Sequence, residues 1–485
     1  MKLYDLKLFL PETLLIISSI IILIYGIFFN KKNETFENVF YITLFFLFFS
    51  LYASLKIIDF DKAYFNNLLI NNYFTVFFKT LILSGAIIIV YISYNYLKDL
   101  KILSNEFFFL INLSIVGILL LISSNNIFTM YLGLELQAIC LYILAAYNKF
   151  NIKSSESGVK FFLIGALSSG ILLYGLSLIY SFTNSTNFAD ISLILSESKV
   201  NNENFLILNL GFILILCGLF FKIAVVPFHM WAPDLYEGSP LTITAFFATI
   251  PKIGAIAFII KFLYLPFLPF YTSWFQILYF VSVISLIYGS VVAINQFNFK
   301  RLLAYSSITH MGFILIGLLS LSNFGIKSVQ LYTFVYLINI IGIFTCLTCL
   351  KNKKNGSYLE NIKDLSGLLK KNSFISFSLA IFLFSLIGLP PLSGFFGKLY
   401  ILIGAIENKY YFISIIAILS SIISAFYYLR IIKNIFFDNE ENNLISVNIN
   451  FFSKFIILMS LILTIFLIAF LSDFLDLIST TSIIK

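Results

Sequence analysis

Charge is scarce in this chain. Of 485 residues only 11% are Asp, Glu, Lys or Arg, against roughly a quarter in a soluble domain. Hydrophobic residues make up 60%, aromatics 18%, and the mean hydropathy is +0.99. That excludes a water-soluble fold, because no single core could hide so much apolar surface. Metal ligands are equally sparse, with two histidines and four cysteines. Cys140, Cys217, Cys346 and Cys349 all fall inside apolar runs. Cys346 and Cys349 have the C-x-x-C spacing, but no second pair and no nearby His completes a zinc or redox site. They read as small core residues. Arginine is nearly missing: Arg301 and Arg430 are the only two among 31 bases. The abundance of Phe, Ile, Asn and Lys reads as the nucleotide bias of an AT-rich genome. The net charge of +8 sits mainly between apolar runs, which suits topology signals and not nucleic-acid binding.

What the chain does have is a series of apolar runs long enough to cross a bilayer, which takes about 20 residues each. Fourteen spans are read, near 8–29, 37–56, 73–96, 106–124, 126–148, 156–182, 205–236, 240–262, 274–295, 301–322, 326–350, 373–405, 411–436 and 451–478. The expected fold class is an all-α polytopic membrane protein, one integral domain over 1–485. The first run is too long for a signal-peptide core and reads as a retained span. Linkers 183–204 and 351–372 are the longest. Sixteen bases fall in connections after odd-numbered spans and nine in the other connections and termini, Lys261 included. The odd connections should therefore face the cytoplasm.

Runs 205–236 and 373–405 are too long for one crossing, and each contains proline: Pro227 and Pro233, then Pro390 and Pro391. Proline removes a backbone hydrogen bond and clashes with the preceding turn. Irregular backbone at membrane depth persists only where protein or a wet cavity satisfies it. Both runs are expected to be broken helices. They are spans 7 and 12, five apart. A five-helix unit is odd, so consecutive copies run in opposite senses. Spans 1–3 (1–104) would then flank two inverted repeats, spans 4–8 (105–262) and 9–13 (274–437), before the last span at 451–478. Such repeats with interrupted helices are the signature of ion-coupled transporters.

Six bases lie inside spans: Lys79, Lys160, Lys222, Lys252, Lys398 and Lys454. A lysine at the bilayer centre costs about 2.5–3.5 kcal/mol on insertion scales and is by default a functional hypothesis. Lys79 and Lys454 lie near span ends and are expected to snorkel. Lys160 sits near the cytoplasmic end of span 6, where the residues alone leave both readings open. Lys222 precedes Pro227 by five residues, Lys398 follows Pro391 by seven, and Lys252 is halfway along span 8. Glu135, in span 5, reads as the sole mid-membrane carboxylate. A carboxylate at ~4 Å, with an effective dielectric near 20, is worth ~4 kcal/mol to a lysine. That is enough to switch the lysine between charged and neutral, which arginine cannot do. His229, just after the first break, is expected to relay protons; for His310 packing and relay roles stay equally open. The bland alternative is a set of static ion pairs fixing helix packing.

The segment GLFFKIAVVPFHMWAPDLYEGSPLTITAFFATIPKIGAIA at 218–257 resembles the antiporter-like membrane subunits of respiratory complex I. So do KRLLAYSSITHMGF at 300–313, LPPLSGFFGK at 389–398 and SAFYYLRII at 424–432. LPE at 10–12, YLGLELQAICLY at 131–142 and SGVKFFLIGALSSGILLYG at 157–175 point to the subunit N branch, homologous to mitochondrial subunit 2. The resemblance implies a proton-translocating subunit of an NADH:quinone oxidoreductase, with Glu135, Lys160, Lys222, His229, Lys252 and Lys398 carrying the proton. It also implies no cofactor in this chain, with flavin, iron–sulfur clusters and quinone in partner subunits. The implied partners are the other complex I subunits, especially neighbouring antiporter-like ones, together with the lipid bilayer and protons, and no nucleic acid. The implied location is a bacterial inner membrane, or alternatively a mitochondrial inner or thylakoid membrane. A subunit of a multisubunit sodium/proton antiporter and the membrane subunit of an energy-converting hydrogenase remain as rivals, because the superfamily shares the 218–257 motif.

Overall fold

The computed structural model describes residues 3–29, 32–58, 60–197, 202–353, 356–438 and 445–479. Lys2, Lys31, Lys199, Lys354 and Lys485, which enter the topology count above, lie outside these residues. The chain is all-α, as expected. Among the described residues thirteen helices are long and apolar enough to cross a membrane, and Ser373–Ile387 is a shorter apolar helix. Asparagine and serine start many of them. The Asn126 side chain accepts from Phe128 N at 2.8 Å, and the Asn72 and Thr75 side chains cap each other's backbone reciprocally. Each cap satisfies amide groups that a helix start leaves without partners.

Two compact units divide the chain. Among the described residues, unit 1 runs over 3–223 and 250–277, and unit 2 over 224–249 and 278–479. In unit 1 the helices Glu106–Ser123 and Ile127–Ala145 pack through two glycines. A Cβ on Gly133 would sit 2.8 Å from Gly117 O and 2.9 Å from Leu121 N, so only glycine lets the backbones touch there. Outside, Phe128, Leu132 and Ile139 are more than half exposed on the same helix. A face of that kind belongs against lipid. In unit 2 the helix Asn323–Thr348 is the hub, packing against Leu241–Ala248, Phe299–Leu318, Ser373–Ile387, Ser393–Glu407 and Phe451–Phe466.

Several expectations need correction. The 183–204 linker contains a helix, Phe188–Glu197. The 351–372 linker begins on a strand, Leu350–Asn352, that pairs antiparallel with Ile445–Val447. Span 8 is not one helix: Leu241–Ala248 ends at Thr249 (φ −117°, ψ −79°) and a second helix, Ile250–Tyr264, follows. Pro251 explains the restart, since proline has no amide hydrogen and is tolerated in a first helical turn. Lys261 is not in a connection but buried inside that second helix. Lys79 does not snorkel. It pairs with Glu12 at 2.6 Å with both side chains fully buried, so Glu135 is not the only carboxylate within the apolar layer.

Candidate functional site

Helix breaks organise the site. Run 205–236 splits into Asn202–Ile223 and Trp231–Gly238, and run 373–405 into Ser373–Ile387 and Ser393–Glu407. Each of the three central lysines lies beside such an end. Lys222 is the penultimate residue of its helix. Lys252 is the third residue of the helix that restarts after Thr249, and is 1% exposed. Lys398 is the sixth residue of the helix that follows Pro391.

In unit 1, Glu135 is half-buried at the middle of Ile127–Ala145. The glycine contact two residues earlier fixes how closely its helix approaches Glu106–Ser123. Lys222, also half-buried, lies within electrostatic range of Glu135. Its ammonium sits 5.9 Å from the Phe221 ring. A cation in the last turn of a helix is favoured by the unpaired carbonyls there. Lys160 stands apart: it pairs with Glu156, one turn away, at 2.7 Å, and its side chain is 47% exposed. Within this chain it is a surface charge.

In unit 2 the second break builds a tighter arrangement. Gly388 ends the Ser373–Ile387 helix at φ +91°, a left-handed conformation that glycine takes without strain. The Lys398 ammonium then donates to Ile387 O at 2.8 Å, one of the carbonyls that the helix end leaves free. It also lies 4.9 Å from the Phe313 ring centre. On the other side of the gap, Gly394 N donates to Ser385 Oγ at 3.1 Å. A small cavity beside Lys398 is lined also by His310, Tyr332, Tyr336, Asn339 and Ser385. His310 Nδ1 is 2.7 Å from Tyr332 Oη and Nε2 is 3.3 Å from Tyr428 Oη.

His310, which the sequence left undecided, thus shares a cavity with Lys398. No spacing could reveal this, because Tyr332, Lys398 and Tyr428 come from three other helices. His229 lies just after the first break, buried, with its ring 4.6 Å from that of Tyr288. Its Nδ1 makes no hydrogen bond. Near it, Val226 N donates to Ser285 Oγ at 3.0 Å, satisfying part of the irregular backbone. At one end of unit 2, Arg301 pairs with Asp234 at 3.2 Å and Glu237 at 3.0 Å, and Lys300 with Glu360 at 2.8 Å. These tie Trp231–Gly238 and the 351–372 linker to Phe299–Leu318. No group of three or more metal-ligating side chains occurs among the described residues.

Comparison with known proteins agrees with this architecture. Residues 124–424 match the family described as NADH:quinone oxidoreductase/Mrp antiporter, TM. The NADH-quinone oxidoreductase subunit N of Pelagibacter ubique is 42% identical over 480 residues, covering 99% of this chain and 100% of that one. A chain of respiratory complex I from Thermus thermophilus with bound aureothin superposes with a TM-score of 0.81 at 26% identity, covering 97% of this chain and 99% of that one. A chain of the Mrp complex from Dietzia reaches 0.83 at 18% identity, covering 99% and 97%. That last likeness is one of fold alone.

Proposed function

Since the chain belongs to the family of NADH-quinone oxidoreductase subunit N, the antiporter-like membrane subunit of respiratory complex I, we propose that it moves protons through its buried lysines. The observation that carries the reading is the placement of Lys222, Lys252 and Lys398 at helix ends inside an apolar layer. Helix ends supply free backbone groups and room for water, and a lysine there can gain and lose a proton.

Redox energy from partner subunits reaches Glu135 and changes its distance from Lys222. Close to the carboxylate, Lys222 holds a proton taken from the cytoplasmic side; with the carboxylate withdrawn, it gives the proton up. The proton passes in the order Lys222, Lys252, His229, Lys398, and Lys398 releases it outward. His310 and its two tyrosines join this last stage as donors and acceptors beside Lys398. Each charge moved against the field needs about 2.3 kcal/mol per 100 mV. That is within reach of the ~4 kcal/mol a carboxylate contributes at ~4 Å. Lys160, exposed beside Glu156, is assigned to the surface facing a neighbouring antiporter-like subunit. The chain supplies no redox group; flavin, iron–sulfur clusters and quinone belong to partner subunits. The curated relatives are bacterial, which favours a bacterial inner membrane.

Purification of a tagged copy in mild detergent tests the assembly. NADH:quinone activity in a large complex supports it, and recovery with only small membrane subunits and no such activity contradicts it. Lys222→Ala in that complex should abolish most proton-coupled turnover. Unchanged turnover and proton stoichiometry would refute the role of Lys222.

A further inference from the structure

A second buried charge cluster lies in unit 1, outside the Glu135–Lys222 arrangement. Glu12 and Lys79 pair at 2.6 Å with no exposure of either side chain. Lys261 is 2% exposed, donates to Ile122 O at 3.4 Å, and lies within electrostatic range of Lys79. Two potential cations therefore neighbour each other in an apolar interior, and the carboxylate is paired with only one of them. A static buried pair persists best when every remaining lone pair is hydrogen-bonded. Here Glu12 Oε2 has no hydrogen-bond partner.

All four residues lie at one end of the unit. Glu12 is in the first turn of Leu10–Phe28, Lys79 early in Tyr73–Asp99, Ile122 at the end of Glu106–Ser123, and Lys261 near the end of Ile250–Tyr264. By the Lys/Arg bias this is the outer end. A hairpin, Lys62–Tyr64 with Leu69–Asn71, closes it. Its buried Tyr64 packs with Leu8, Ile57, Leu69 and Val76. Asn71 pins the loop by donating to Ile57 O at 2.8 Å and Phe60 O at 2.7 Å. Burial and the Glu12 carboxylate hold the Tyr64 phenol well above its ordinary value, so it stays neutral and able to pass a proton.

We propose that Glu12, Lys79 and Lys261 form a proton-release site at the outer end of unit 1, with Tyr64 between it and the outer water. This rests on the reading of Lys222 and Lys252 as proton carriers. Lys261 is nine residues, about 14 Å, beyond Lys252 on the same helix. A proton reaching neutral Lys261 makes a second ammonium beside Lys79. The excess charge is relieved when one ammonium gives its proton to the Glu12 carboxylate, leaving a neutral amine and a carboxylic acid. The acid then loses the proton outward past Tyr64, which restores the carboxylate.

The test uses the assembled complex in vesicles, with NADH-driven proton uptake and complex abundance measured for Lys261→Met, Lys261→Gln and Lys222→Met. Lys261→Gln keeps a neutral donor but carries no proton, so it keeps the complex intact should Lys261→Met fail to assemble. Expected is normal abundance with most proton uptake lost in Lys261→Gln, and in Lys261→Met if it assembles. Wild-type uptake in Lys261→Gln would overturn the proposal, since a static role is satisfied by a neutral donor. If Lys222→Met loses uptake while the Lys261 variants do not, the release site falls and the carrier reading stands. If none of the three loses uptake, both fall.

Discussion

Glu12 and Lys79 illustrate what burial demands of a charge. Sixty-seven residues separate them, so span arithmetic could only place Lys79 near a span end and expect it to snorkel. The pairing exists because neither side chain reaches water. Removing one partner strands the other, at a cost of about 3–5 kcal/mol. Glu12→Gln is accordingly expected to lower the thermal midpoint of the complex or its abundance. Glu12→Leu combined with Lys79→Met, which removes both charges, should recover most of that stability in a double-mutant cycle. Lys160 behaves oppositely. Its pair with Glu156 is exposed, and such pairs are worth about 0–1 kcal/mol, so Lys160→Met should leave the stability of the complex unchanged within ~1 kcal/mol. If turnover falls nonetheless, the side chain acts toward a neighbour. Residue chemistry was the most legible level of the sequence, because a lysine amid apolar residues is costly wherever it sits. Partner identity was not legible. His310 needed Tyr332, Tyr428 and the cavity beside Lys398 before a role could be assigned. His310→Leu should reduce turnover roughly tenfold or more if it hands protons to Lys398. A small effect would make it a packing residue.

Helices carry their own constraints. Proline announced the breaks at 227 and 390–391, since no straight helix accommodates it in mid-span. Thr249 announced nothing. A threonine can bond its own helix, as its Oγ1 does to Ala245 O at 2.8 Å. Only Pro251, read as a first-turn proline, signals that a new helix begins there. The second break depends on two glycines that sequence alone could not distinguish from ordinary ones. Gly388 supplies the left-handed turn. A Cβ on Gly394 would overlap Ser385 O, a backbone atom that cannot move away without parting the half-helices. Gly394→Ala should therefore abolish assembly or separate Lys398 from its carbonyl, read as lost complex or lost turnover. Gly133→Ala is expected to be milder. It forces the two helices apart beside Glu135, costing about 1–3 kcal/mol of overpacking, and turnover should fall further than stability.

Over the whole molecule, the fold class was readable from composition, because 60% hydrophobic residues leave no soluble solution. Boundaries were less so. Asn202–Ile223 and Trp231–Gly238 belong to different units, a division that span arithmetic cannot express because it reads 205–236 as one run. The expected inverted repeats rest on the opposite senses of five-span units and remain a proposal. The central proposal is that the chain carries protons on buried lysines for partner subunits that hold the redox groups. The proton-to-NADH ratio of the assembled complex in sealed vesicles, wild type against Lys398→Met, tests that claim most directly. Lys398 is 7% exposed and held by a single carbonyl bond, so methionine can fill its place without unfolding the helix. The account predicts intact complex with a lowered ratio or, if turnover and transport are tightly coupled, lost turnover. A wild-type ratio at wild-type turnover would contradict it.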